Sequence, residues 1–133
     1  MPVDPARLRT IPLFEGIHDA DVEMIAEHME ERLVSPGERL TREGASGYFF
    51  FVILEGTASV ERGAEVIAEL GPGDFFGEAA ILEATRRNAT VTATTDMTGG
   101  ALFGADFAKY EHDSPELHAR ITRVMADRKI VDA

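Results

Sequence analysis

The central part of the chain, residues 32–103, consists of short apolar segments separated by turn-forming pairs. The densest segment, 48–54, is rich in aromatic and β-branched residues and is followed by Glu55-Gly56, which predicts a buried strand. Two further segments, 57–62 and 65–70, are separated by a glycine turn and predict a hairpin. Many short strands at even spacing indicate a mainly β sandwich or barrel.

The same pattern predicts strands on both sides of this central pair. The segments 32–35 and 38–42 surround a Pro-Gly turn, and the segments 89–94 and 97–103 are predicted to close the β region. The pair Gly99-Gly100 lies inside the last of them. Glycine weakens a strand and often marks a bulge, so we expect an irregularity at this pair.

An amphipathic helix is predicted on the N-terminal side of the β region. Asp19 is a suitable N-cap, and apolar residues then recur with the spacing that places them on one helical face. The pattern ends near Glu31, so residues 1–31 are predicted to form a helical segment. The apolar face consists of Val22, Ile25, Ala26 and Met29.

The chain is predicted to end in two helices within residues 104–130, the first over 105–110. Ser114 is expected to cap the second helix, with Pro115 at its first position. The apolar spacing that follows predicts an amphipathic helix of about four turns over 115–129. Its apolar face contains Leu117, Ile121, Val124 and Met125, with Arg128 in line with them.

Composition limits the function classes that fit this chain. Its 133 residues suffice for one domain with one core. The absence of cysteine excludes disulfides and thiolate chemistry, and it fits a cytoplasmic location. No apolar run approaches the roughly 20 residues of a membrane span, and no signal-peptide pattern is present, so no membrane partner is predicted. The net charge of −11 repels a phosphate polymer, which argues against a nucleic acid partner.

Residues 73–91 carry the pattern of a binding site. Gly77 lets the backbone approach a ligand closely, and the following peptide N–H groups can point at phosphate oxygens. Glu78, an ionised acceptor, suits a sugar hydroxyl. Arg87 offers two parallel N–H donors for the phosphate. These residue types predict a pocket for a small anion that carries hydroxyl groups.

This stretch resembles the phosphate-binding cassette of cyclic nucleotide-binding domains, of the type found in catabolite activator proteins and protein kinase A regulatory subunits. The shared residues are Phe76-Gly77-Glu78, Ala80, Arg87 and Ala89-Thr90-Val91, at the spacing usual in the family. The resemblance covers nearly the whole chain and implies an eight-stranded jelly roll (β-roll) flanked by N-terminal and C-terminal helices. It also implies a single domain, 1–133, with the cassette at 76–91.

The resemblance also implies roles for the cassette residues. Arg87 would clamp the cyclic phosphate, and Glu78 would accept a hydrogen bond from the ribose 2′-hydroxyl. The glycine and the alanines would supply backbone N–H groups and space. The alternatives are an arginine in solvent, a glutamate that caps a helix or pairs with Arg87, and alanines that only pack. The implied ligand-binding set is Phe76, Gly77, Glu78, Ala79, Ala80, Arg87, Asn88 and Ala89.

Some apolar residues near the cassette could line the wall for the base, although apolar strand residues are core far more often than they are ligand contacts. They are Val60, Ile81, Leu82, Val91 and Ala93.

Three features depart from the family pattern. Arg86 stands where the family usually has proline, and Asn88 is larger than the usual residue after the arginine. The loop 82–85 lacks the usual glycine and proline. These departures motivate an alternative function, a degenerate domain that no longer binds nucleotide and serves protein interaction or homodimerisation.

The primary hypothesis is a regulatory domain that binds cAMP in preference to cGMP, since cGMP-selective members usually have threonine at the Asn88 position. The last helix would settle over the base as an apolar lid and signal to an effector. The effector is either a separate partner or the rest of a longer protein.

No enzymatic activity is predicted. Common nucleotide-hydrolase, esterase and zinc-protease motifs are absent from the sequence, and the four histidines are isolated from one another. None of these histidines lies within 32–103, which argues against a metal site in a jelly roll.

Overall fold

The computed structural model describes residues 2–41, 49–77 and 89–132, with side chains described up to Arg123. Eight strands in these ranges form two four-stranded sheets, and all pairings are antiparallel. The first sheet has the order β1-β8-β3-β6 and the second β2-β7-β4-β5. The strands are β1 (Glu30–Val34), β2 (Arg39–Thr41), β3 (Phe49–Glu55), β4 (Ala58–Arg62), β5 (Glu65–Leu70), β6 (Phe75–Phe76), β7 (Thr90–Ala93) and β8 (Met97–Phe103).

Four helices and a single 3₁₀ turn, Pro12–Phe14, flank the strands in the described parts of the chain. Together with the two sheets they confirm the predicted mainly β roll with helices at both ends. The helices are α1 (Pro5–Arg9), α2 (Asp19–His28), α3 (Gly104–Asp113) and α4 (Pro115–Asp132).

Strands β3 and β6 of the first sheet separate two apolar clusters, because their side chains alternate between the two faces. In β3, Phe50 and Val52 point to the helices, where the Phe50 ring stacks on Phe107 of α3 with centroids 4.2 Å apart. Phe51 and Ile53 point to the space between the sheets. The roll therefore has an inner cluster between its sheets and an outer cluster beneath its helices.

The boundary between α2 and β1 differs from the prediction. The helix ends at His28 and β1 begins at Glu30, whereas the apolar spacing placed the end near Glu31. Met29 adopts an extended conformation, its carbonyl accepts a hydrogen bond from the Val3 amide, and Glu30 pairs with Ala101 of β8. Pairing with β8 thus overrides the local helical pattern.

The first residue of α2 also differs from the prediction. Asp19 is the first helical residue and His18 occupies the cap position without a side-chain cap bond. The Asp19 carboxylate instead pairs with Arg9, at 3.1 Å. For α4 the prediction is confirmed, since the Leu117 amide donates to Ser114 Oγ at 3.3 Å and Pro115 begins the helix.

The predicted hairpin is confirmed as β4–β5, with Arg62 opposite Glu65. The two glycines of β8 do not interrupt that strand. The irregularity lies on the opposite strand, where the register shifts between Ile53 and Glu55 of β3.

The glycines of β8 are required by close packing on both faces. A Cβ on Gly99 would collide with the Phe51 ring in the inner cluster, and a Cβ on Gly100 would collide with Met29 in the outer one. Neighbouring residues of a strand face opposite sides, so the two glycines bring both clusters against bare backbone.

Candidate functional site

The start of the cassette lies on the first sheet. Strand β6 pairs with β3, and the Phe76 ring stacks on Phe51 with centroids 5.1 Å apart. Phe76 is buried in the inner cluster. Gly77 follows with a φ of 97°, a left-handed conformation that strongly favours glycine. The backbone thus turns sharply at the point where the predicted binding loop begins.

The turn before β6 fixes this start. The Gly71 amide donates to the Asp74 carboxylate at 2.8 Å, and the Asp74 amide donates to the Gly71 carbonyl at 3.0 Å. The Gly73 amide and the Asp74 carbonyl then form a pair of 2.9 Å hydrogen bonds with the backbone of Ile53. The turn is therefore held on β3 before the cassette begins.

The end of the cassette lies on the second sheet. Ala89 is 7% exposed, and Thr90 begins β7, which lies between β2 and β4. Val91 and Ala93 point into the inner cluster, as Phe76 does from the opposite sheet. The two ends of the cassette therefore belong to different sheets that enclose one interior.

Of the predicted ligand-binding set, the structure describes Phe76, Gly77 and Ala89. It places Phe76 and Ala89 in buried positions, and Gly77 is half-buried. The other members lie outside the described residues, and their roles remain predictions. They are Glu78, Ala79, Ala80, Arg87 and Asn88.

The apolar residues considered for the base are found largely in the core. Val91 and Ala93 belong to the inner cluster, and Val60 packs against it half-buried. Their burial is explained by packing between the sheets. Ile81 and Leu82 lie outside the described residues.

Sequence reasoning missed one residue that contacts the cassette. Thr41, at the end of β2, donates from its hydroxyl to the Ala89 carbonyl at 3.2 Å. The same oxygen accepts a hydrogen bond from the Val91 amide at 3.2 Å. A single threonine between a leucine and an arginine gives no signal of this role in the sequence.

The last helix packs on the N-terminal segment through its first two turns. Leu117 and Ile121 are buried in the outer cluster, at 2% and 0% exposure. The Arg120 guanidinium donates to the carbonyls of Pro12 and Leu13, at 3.2 and 2.9 Å. The predicted face is thus confirmed for its first two residues. The side chains of Val124, Met125 and Arg128 lie outside the described part.

Two of the histidines make contacts between helices. His118 of α4 pairs with the buried carboxylate of Glu111 in α3, and His28 Nδ1 lies 2.9 Å from the Tyr110 hydroxyl. Burial, with the Asp106 and Glu27 carboxylates nearby, raises the pKa of that hydroxyl above its ordinary value. In the residues that the structure describes, no three histidine or acidic side chains are grouped as a metal site would require.

No described helix is both long enough and apolar enough to cross a membrane.

Comparison with known proteins agrees with this architecture. Residues 31–111 match the family description "Cyclic nucleotide-binding domain". A cyclic nucleotide-gated potassium channel of Rhizobium etli is 33% identical over 119 residues, which cover 90% of this chain and 33% of the channel. A cAMP-dependent protein kinase regulatory subunit of Mycosarcoma maydis is 41% identical over 90 residues, which cover 65% of this chain and 17% of the subunit. The chain thus spans a third or less of the length of either relative.

A solved structure has the same fold. The regulatory domain of Toxoplasma gondii PKA, crystallised with cAMP, superposes with a TM-score of 0.84 at 18% identity, over 92% of this chain and 48% of that chain. The match over residues 31–111 includes the whole cassette. The chain belongs to the cyclic nucleotide-binding domain family.

Proposed function

We propose that this domain binds cAMP in preference to cGMP and acts as the nucleotide-sensing part of a regulatory system. The observation that carries the proposal is the placement of the cassette ends. Phe76 and Ala89 are buried on opposite sheets of one roll, and between them the sequence has the glutamate and arginine of the family motif. A ligand held by those residues would lie against both sheets at once.

In this proposal Arg87 clamps the cyclic phosphate with two charge-assisted hydrogen bonds, and Glu78 accepts from the ribose 2′-hydroxyl. Backbone N–H groups after Gly77 complete the phosphate contacts. The protein as a whole carries a net charge of −11, so the binding site depends on this local group of donors.

The preference for cAMP is supported by two observations. The relative from Mycosarcoma maydis, which is named as cAMP-dependent, is 41% identical over a region that covers 65% of this chain. Asn88 stands where cGMP-selective members of the family usually have threonine. We propose that the response passes to an effector through α4, with the domain acting in the cytoplasm.

Isothermal titration with cAMP and cGMP tests this function, with Arg87→Ala as the decisive variant. Removing a bidentate charged contact should weaken cAMP binding at least roughly tenfold, since hydrogen bonds to charged groups contribute about 1.5–3 kcal/mol. Arg86→Ala is the matched control, because it removes the same charge one residue away and should leave the affinity nearly unchanged. Equal losses in both variants would show that the clamp is misassigned.

The second candidate function is protein interaction by a domain that has lost its ligand. The bulky Asn88 and the atypical Arg86 favour it. Absence of heat from either nucleotide at millimolar concentration, together with concentration-dependent dimerisation in sedimentation, would support this function over the first.

A further inference from the structure

The Thr41 hydroxyl satisfies two backbone groups at the end of the cassette. It donates to the Ala89 carbonyl and accepts from the Val91 amide, both at 3.2 Å. Ala89 is 7% exposed and Val91 is 4% exposed. Water therefore has little access to these backbone groups, and an unpaired buried donor or acceptor is costly.

The register of the second sheet explains why a side chain makes these bonds. Arg39 of β2 is opposite Thr92 of β7, but Thr41 is opposite Val91. Strand β2 thus has one residue more than β7 at this point, and a bulge of this kind interrupts the backbone ladder. The threonine hydroxyl bonds to β7 where the backbone ladder is irregular.

The two hydrogen bonds of Thr41 depend on its hydroxyl group. Valine has nearly the same shape as threonine but can neither donate nor accept, whereas serine keeps the hydroxyl and lacks the methyl. The contribution of the hydrogen bonds can therefore be separated from that of packing by two substitutions at one site.

We propose that Thr41 is a positioning residue for the phosphate clamp. Arg87 precedes Ala89 by only two residues in the sequence, so under this proposal a change in the backbone position of Ala89 would also change the position of the arginine. Loss of the hydroxyl lets this end of the cassette take other positions, and the apparent affinity falls with the fraction of molecules in the competent arrangement. This inference rests on the proposed nucleotide-binding function.

The test measures nucleotide affinity and folding stability of the same variants. Thr41→Val should weaken cAMP binding about tenfold at a temperature where the protein is fully folded, as expected for the loss of two buried hydrogen bonds. Thr41→Ser should bind like the wild type. Thr92→Val is the matched control, because Thr92 lies on β7, the strand that Thr41 contacts, and its hydroxyl makes no hydrogen bond among the described residues. It should leave the affinity unchanged.

A purely structural role would lower the free energy of unfolding of Thr41→Val and leave its Kd for cAMP unchanged, which would overturn the inference. Failure of the wild type to bind either nucleotide would overturn the proposed function itself, and the inference with it.

If Thr41→Val does not fold, hydrogen exchange of the wild-type Val91 amide replaces it. That amide should exchange more slowly when cAMP is added, because ligand and hydroxyl hold the same segment. An unchanged exchange rate in the presence of saturating cAMP would overturn the inference.

Discussion

At the scale of single residues, the roll depends on positions where no side chain fits. Gly100 of β8 lies under Met29, and a Cβ there would overlap the methionine side chain. The strand cannot move away easily, because β8 is paired on both edges, with β1 and with β3. Glycine has a poor strand propensity, so its presence in β8 is explained by the close packing at this position.

We expect Gly100→Ala to lower the free energy of unfolding by about 1–3 kcal/mol, the usual cost of overpacking a core. Urea denaturation measures it. Gly71→Ala is the control, since a Cβ at Gly71 meets nothing within 4 Å, and it should be nearly neutral. A neutral Gly100→Ala would mean that Met29 can be displaced at little cost.

At the scale of elements, the described side chains of α4 attach it to the N-terminal segment through Arg120 and a buried apolar face. Arg120 donates to two carbonyl groups within the 3₁₀ turn, while Leu117 and Ile121 are buried in the outer cluster. Any movement of the whole helix must break these contacts. The first two turns are therefore the part of α4 that is costly to move.

Arg120→Ala should lower the free energy of unfolding by about 1 kcal/mol, because each hydrogen bond contributes a net 0.5–1.5 kcal/mol and both are partly exposed to solvent. Thermal unfolding monitored by circular dichroism is a suitable measurement. Arg123→Ala removes an exposed arginine one turn further along the same helix and should change little. Equal effects of the two substitutions would show that the carbonyl contacts add no stability.

Most elements of the fold could be predicted from the sequence, because strand and helix periods are local properties. The segment 97–103 was predicted with the bounds that β8 has, and the β4–β5 hairpin was recognised from its glycine turn. The end of α2 could not be predicted, because Glu30 is in a strand as a result of its pairing with β8, which is distant in sequence. The partner of each strand likewise depends on contacts distant in sequence.

The candidate site was predictable to the extent that its residues form a motif. Phe76, Gly77 and Ala89 could be named because their types and spacing match a family pattern. Thr41 could not be named, because it lies 48 residues before Ala89 and bonds to it at a register shift between β2 and β7. A residue that supports a site from another strand leaves no local signal.

At the scale of the whole molecule, the net charge of −11 opposes compactness. Ion pairs in the helical segment, such as those of Arg9 with Asp19 and Glu23, do not reduce this net charge, because it already counts both signs. Salt screens repulsion between exposed charges over distances of about 10 Å at 0.1 M.

Raising sodium chloride from about 0.02 M to about 0.2 M should therefore increase the Tm, because the Debye length shortens from beyond 20 Å to below 10 Å and like charges no longer repel across the surface. Differential scanning calorimetry at several salt concentrations provides the measurement, with a non-ionic osmolyte as the control. A Tm that falls with salt would show that the surface ion pairs outweigh the repulsion.

The glycine pair of β8 has a further consequence for communication within the molecule. Between Phe51 on one side and Met29 on the other, the wall separating the two apolar clusters is only one peptide backbone thick. Side chains normally absorb small displacements by changing rotamer, but none stands at this point. A shift of the Phe51 ring therefore reaches Met29, which joins α2 to β1, only through the β8 backbone, because no side chain of that strand stands between them.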